Sequence, residues 1–269
     1  MGWQRYDLRF RLQSPLHIGW RKSGNLQQTR GYVPGKNVWA ALTARLTRDA
    51  GRGAAGSAYE EIGKLVQDNF RFGYLYPALK SDSGYQVRYP WDEGFDYLFL
   101  DSYTSTALAY PSQSAAEGLL HEMEFVAPCT RQGDPVYLTG CLYVQAELPA
   151  ALHKWHEALA KLQFGGERGY GWGRVEVMDD LQGVAVNGEP AVKLTDGCKI
   201  TAHLVAAEVS DVSGPVEPFI GWERNNNEDE KANWRLGSEA LICYAPGSVA
   251  TADATFTIGP NGIWEAATP

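Results

Sequence analysis

Residues 164 to 174 read Phe-Gly-Gly-Glu-Arg-Gly-Tyr-Gly-Trp-Gly-Arg, with five glycines in nine positions and two arginines. Lacking a Cβ, clustered glycines let the main chain adopt left-handed conformations and bring its N–H groups close to a ligand. Successive N–H groups in such a turn form an anion-binding concavity, and Arg168 and Arg174 add charge in a geometry suited to phosphate. The same run also fits a tight helix-to-strand connection whose glycines serve packing alone.

Direction excludes the common nucleotide loops. A dinucleotide or ATPase phosphate loop leaves a strand and opens a helix. Here Leu152, Trp155, Leu159 and Leu162 keep helical spacing before the glycines, and Arg174 to Val177 alternates like a strand after them.

Charge is unevenly placed. Residues 1 to 48 carry +8 and the remainder −16, for a net of −8, and no Asp or Glu lies between Leu8 and Arg48. A locally basic element can track a phosphate backbone in an acidic protein, because fields decay over about 8 Å at physiological salt. It also fits a solvated basic face. No stretch approaches the roughly 20 apolar residues of a membrane span, and the first residues lack a signal-peptide core, so a cytoplasmic protein without membrane partners is expected. Cys129, Cys141, Cys198 and Cys243 show no paired spacing and read as buried thiols.

Along the chain, Tyr6, Leu8, Phe10 and Leu12 predict a first strand ending at Ser14-Pro15, followed by a polar loop through Arg21 to Arg30. Tyr32-Val33-Pro34-Gly35 opens a helix carrying Val38, Leu42 and Leu46 on one face, and a Gly/Ala-rich linker leads to a helix over Tyr59 to Asp68. Residues 70 to 117, rich in Tyr, Phe, Ser and Pro, predict an inserted arm. Glu122 to Ala127 and Val136 to Ala146 predict a hairpin turning through Gly133-Asp134, and a helix over Ala151 to Leu162 precedes the glycines. The order strand, helix, strand, strand, helix, strand predicts an α+β, ferredoxin-like (RRM-like) βαββαβ domain over residues 1–180, followed by a smaller β-rich domain over 181–269. In the latter, Lys199 to Val209 predicts a long strand and Asn225 to Glu230 a mobile loop.

Three segments together, Ser14-Pro15-Leu16-His17-Ile18-Gly19, Tyr32-Val33-Pro34-Gly35 and Phe164 to Val175, resemble the repeat-associated (RAMP) superfamily of CRISPR effector subunits, of type III character. The resemblance covers roughly the first two thirds of the chain. It implies a ferredoxin-like domain that grips guide RNA by its backbone and leaves target choice to base pairing. The residues it assigns to RNA are His17, Gly19, Arg21, Lys22, Arg30, Lys36 and Asn37 from the basic segment. From the glycine run it assigns Gly165, Gly166, Arg168, Gly169, Tyr170, Gly171, Trp172, Gly173 and Arg174, with Tyr170 or Trp172 able to stack on an unpaired base.

Cleaving backbone subunits of the superfamily carry a catalytic Asp after the first strand. This chain has none between Asp7 and Asp49, so no target cleavage, catalytic residue, metal or cofactor is expected. The extension beyond residue 180 resembles that of the subunit capping the 5′ handle of the guide, with Phe219 to Arg224 and Tyr244 to Val249 loosely like its late segments. The tract at 70–117 would then be the arm over the guide-target duplex. Implied partners are guide RNA, target RNA and other effector subunits, namely backbone subunits and a large subunit or nuclease. A non-cleaving backbone subunit and a metal-independent repeat-processing ribonuclease using His17 are the alternatives within the superfamily, and a binding module for another ligand is the alternative outside it. His153 and His156 share a helix face but have no evident third metal ligand.

Overall fold

Trp3–Leu12 (β1) buries Tyr6, Leu8, Phe10 and Leu12 and exposes Arg5, Asp7 and Arg11, the period-two pattern of a strand with one face packed on a core. The computed structural model describes residues 2–51, 56–178, 180–207, 209–224, 234–237 and 240–267. After β1, Gly19–Ser23 (β2) and Leu26–Thr29 (β3) form a hairpin, followed by helices Gly35–Asp49 (α1) and Gly56–Asn69 (α2). Phe70–Phe72 (β4), Tyr76–Ser81 (β5) and Gly84–Val87 (β6) lead to a short helix, Phe95–Phe99 (α3), and to Leu100–Ser105 (β7). A small hairpin of Leu108–Ala109 (β8) and Ser114–Ala115 (β9) precedes His121–Val126 (β10) and Val136–Gln145 (β11). Trp155–Leu159 (α4) and Val175–Val177 (β12) bracket the glycine run.

The main sheet runs β12-β1-β11-β5-β6, each neighbouring pair antiparallel, with β4 also on β11. Even-numbered residues of β1 and β11 face the helices. There Phe10, Leu138 and Leu142 pack with Val38, Leu42 and Leu46 of α1, Ile62 and Val66 of α2, and Trp155 of α4. Each such side chain contributes about 1.5–3 kcal/mol by burial. The opposite face bears Trp3, Tyr74, Tyr76 and Tyr143, which form a second core with Ile200, Leu204, Phe256, Ile258 and Trp264.

The latter residues belong to the β-rich C-terminal part. Val184–Val186 (β13) still pairs with β1, so the chain rejoins the first sheet after residue 180. Ala191–Leu194 (β14), Leu204–Val205 (β15), Val212–Ser213 (β16), Val216–Phe219 (β17), Trp222–Arg224 (β18), Trp234–Leu236 (β19), Leu241–Tyr244 (β20), Val249–Ala250 (β21), Ala254–Ile258 (β22) and Trp264–Ala266 (β23) follow. Six of them form a sheet in the order β14-β22-β23-β15-β20-β17.

Several expectations change. The tract at 70–117 is not wholly an insertion, because Phe70, Phe72, Tyr76 and Ala78 are buried and their strands pair with β11. The predicted hairpin between 122 and 146 does not form: β11 enters the main sheet, whereas β10 joins β7 and β3 in a second sheet ordered β2-β3-β10-β7. The connection does turn back, with the Val136 N–H bonded to the Pro128 carbonyl at 3.0 Å. The polar loop at 21–30 is the β2–β3 hairpin, the helix at 151–162 shortens to a 3-10 turn plus α4, and the long strand at 199–209 reduces to β15. Cys129 and Cys198 are exposed, unlike the expected buried thiols. Most of the Gly/Ala linker and Asn225 to Glu230 lie outside the described residues.

Candidate nucleic-acid interface

Two sequence segments separated by about 150 residues close on each other. The Gly166 N–H donates to the His17 carbonyl at 2.9 Å, the Gly173 N–H to the Pro15 carbonyl at 2.7 Å, and the Arg174 N–H to Ser14 Oγ at 2.9 Å. Glycine is required at two positions of this loop. Gly165 and Gly173 have φ of 77° and 73°, and a β-carbon on either would overlap a carbonyl oxygen, that of His17 or of Phe164. Packing alone therefore demands these two glycines.

The loop's amides divide accordingly. Those of Gly166, Tyr170, Gly171, Trp172 and Gly173 donate within the fold, so an unbroken cradle from Gly165 to Gly173 does not exist. Among the described residues, the amides of Glu167, Arg168 and Gly169 at the loop's crest have no main-chain acceptor. Gln163 Nε2 ties the crest's two ends together through the carbonyls of Arg168 and Trp172.

His17 is a fastener. It is 7% exposed, and its Nδ1–H donates to the Glu124 carbonyl at 2.7 Å while its own carbonyl holds Gly166. Glu124 in turn accepts the Thr29 N–H through its side chain at 2.9 Å, and Thr29 Oγ1 accepts the Ile18 N–H at 2.8 Å. The basic hairpin, the β10 strand and the glycine loop are thus locked at one junction.

Several clefts surround that junction. One, of about 720 Å³, is lined by His17, Gly19, Arg21, Lys22, Arg30, Lys36, Asn37 and Gly165, bringing together eight of the sequence-assigned residues. Its far wall comes from the C-terminal part at Pro218 to Gly221. A second, of about 690 Å³, runs between the glycine loop and the arm, with Tyr170, Trp172, Tyr103, His121, Met123 and Phe125 on its walls. Tyr170 is 85% exposed, whereas Trp172 packs edge-on against Phe125 at 5.1 Å. Arg168 and Gly169 line a third, smaller cleft. Arg174 is exposed at the entry to β12, and Gly166 and Gly171 line none of the three clefts.

Arg30 has an internal partner that sequence reasoning missed. Its guanidinium donates to Glu217 Oε1 at 2.7 Å and to the Tyr32 hydroxyl at 2.9 Å, and its side chain is 13% exposed. Glu217 Oε1 also meets His203 Nε2 at 2.6 Å, and the Tyr74 hydroxyl lies 2.7 Å from His203 Nδ1. A neutral His203 satisfies both contacts, with Nε2–H donating and Nδ1 accepting the tyrosine O–H. Burial is the main cause holding His203 below its ordinary pKa, partly offset by Glu217. For Glu217, burial alone would raise the pKa. Hydrogen bonds from His203 and Arg30, the Arg30 charge and the Trp20 N–H outweigh it and bring the carboxyl to about 2. Trp20 Nε1 reaches Glu217 Oε2 at 3.2 Å, and Arg21 lies over the Trp20 ring at 3.4 Å, so Arg21 projects from an anchored platform. Nothing local in the sequence marks Glu217 as the partner of a basic segment so far upstream.

A chain in the cryo-EM structure of the Type III-B Cmr-beta bound to cognate target RNA and AMPPnP matches 91% of this chain and 85% of its own length, at a TM-score of 0.52 and 12% identity. This chain shares the fold of that one chain. A second Cmr-beta chain, from the structure bound to cognate target RNA, matches 91% and 86% of the two chains at a TM-score of 0.49 and 13% identity. The likeness to the first of these chains lies in the α+β fold and does not transfer residue roles. No protein-family model and no curated protein matches the sequence. No helix among the described residues is long and apolar enough to cross a membrane, and no three metal-ligating side chains gather among them.

Proposed function

We propose that this chain is a non-catalytic, RNA-holding subunit of a CRISPR effector ribonucleoprotein of the RAMP superfamily, with guide RNA, target RNA and neighbouring effector subunits as partners. The observation that carries the reading is the mutual closure of the Ser14–His17 and Gly165–Arg174 segments, which sets the basic hairpin beside the glycine loop, with Arg21, Lys22, Lys36 and Gly165 on one cleft. The fold shared with a chain of the RNA-bound Cmr-beta structure supports it. The antiparallel order β12-β1-β11-β5, with α1 and α4 packed on one face, supports a ferredoxin-like core.

Within the effector, the capping position at the 5′ handle is the reading we favour, because Pro218 to Gly221 wall off the basic cleft on one side, as suits a strand end. The burial of His17 and the engagement of its Nδ1 by a carbonyl favour an anchoring role over acid-base chemistry. The test is binding of repeat-derived RNA with and without its 5′ handle, with the same RNA recovered and sized afterwards. Handle-dependent binding with intact RNA is expected. Cleavage abolished by His17→Ala, or equal affinity for both RNAs, contradicts the respective part.

A further inference from the structure

The third cleft, of about 360 Å³, meets the glycine-loop crest at Arg168 and Gly169, whereas the aromatic cleft meets the loop at Glu167, Tyr170 and Trp172. Its floor is one stripe of α1, in which Ala41, Ala44, Arg45 and Arg48 recur at helical spacing and the two alanines leave room for an approaching chain. Lys161 and Arg168 complete the walls, and no carboxylate lines it. Asp49 is the acid that meets these cations, bound by Arg45 through two hydrogen bonds and lying 3.8 Å from Lys161. Four cations against one acid leave an excess of three positive charges here, in a chain whose net charge is −8. The C-terminal half of α1 opposes an anion with only about half an elementary charge.

We propose that this cleft is a second phosphate-binding site, which takes the sugar-phosphate backbone of a single RNA strand as it leaves the glycine-loop crest. It rests on the RNA-holding reading and extends it to a face of α1 outside the basic cleft. Arg168 and the Gly169 amide belong to both the crest and this cleft, so a strand crossing the crest passes from one to the other without a gap. Recognition here is of charge and backbone, without sequence readout, since the lining offers guanidinium and ammonium donors and no exposed aromatic.

The experiment uses the full chain and fluorescein-labelled oligouridylate, with anisotropy titrations across a series of salt concentrations. Arg48→Glu with Lys161→Glu is compared with Lys80→Glu with Lys193→Glu, which changes net charge equally at exposed residues lining neither cleft. The cleft variant is expected to bind at least about tenfold more weakly near physiological salt. Its log–log salt slope should flatten by about 1.4, the value for two fewer single-strand phosphates neutralised. The control should keep the wild-type slope. Arg48→Gln with Lys161→Gln provides the same reading if the reversal impairs folding.

An unchanged slope in a folded cleft variant, while Arg21→Glu with Lys22→Glu weakens binding, overturns the second site and leaves the RNA-holding reading standing. Wild-type protein that binds no RNA overturns both. Unchanged RNA binding with loss of association to another subunit assigns the cleft to protein contact and also overturns the proposal.

Discussion

Arg30 and Glu217, 187 residues apart, meet at 2.7 Å between the root of the basic hairpin and the first strand of the β17–β20 pair. Through this pair the C-terminal part holds the basic hairpin in position, because the same carboxylate also takes the Trp20 N–H. Arg30 thereby serves the architecture of the interface from inside.

Replacing Glu217 with alanine leaves a largely buried guanidinium without its counter-charge. A decrease of about 3 kcal/mol in folding stability is expected, in the range for breaking one side of a buried pair. Urea unfolding measures it. A decrease under about 0.5 kcal/mol contradicts the pairing.

Acid should weaken the fold in two windows. His203, held below its ordinary 6.5, and Glu217, held near 2 against 4.5, both bind protons more readily when unfolded. Their contributions are complete above about pH 6.5 and 4.5 respectively and disappear as pH falls through the folded values. For Glu217 the amount is on the order of 2–3 kcal/mol. Unfolding midpoints should therefore decline from pH 7 to 3, and Glu217→Gln should flatten the lower window. Identical profiles in the two proteins would show that Glu217 does not drive the acid transition.

Glycine substitutions should separate by position. Gly173→Ala forces a β-carbon onto the Phe164 carbonyl at positive φ and is expected to cost at least about 2 kcal/mol. Gly169 has open space around it and lacks a positive φ, so Gly169→Ala should stay within about 0.5 kcal/mol. Thermal unfolding of the two variants decides; equal effects contradict the assignment of strain to Gly173.

Charge reversal at Arg21 and Lys22 should weaken RNA binding without destabilising the fold, since β2 is exposed along its length. Every phosphate that the variant no longer neutralises should flatten the salt slope by about 0.7 for a single strand. A variant with full affinity and an unaltered slope places the phosphates elsewhere.

How far these features could be read in advance depended on range. The alternation from Tyr6 to Leu12 and the apolar face of α1 are local, and both elements formed as their patterns require. Glu122 to Ala127 and Val136 to Ala146 were also legible as strands, but partner choice is a tertiary matter. Leu138, Leu142 and Val144 demand a central place in the main sheet, while Glu122 and Met123 pair with Leu26 and Gln27 of the basic hairpin. The three motifs gave no sign that two of them bind each other. Glu217 and His203 were invisible because their meaning arises only when the C-terminal sheet docks on the first.

The basic hairpin and the loop crest are proposed to hold a guide strand together. Photocrosslinking of repeat-derived RNA containing 4-thiouridine, followed by identification of the attached peptides, tests this most directly. Adducts are expected on the peptides carrying Trp20 and Tyr170. Stable binding with adducts confined to the opposite sheet face, around Tyr85 and Tyr137, would contradict it.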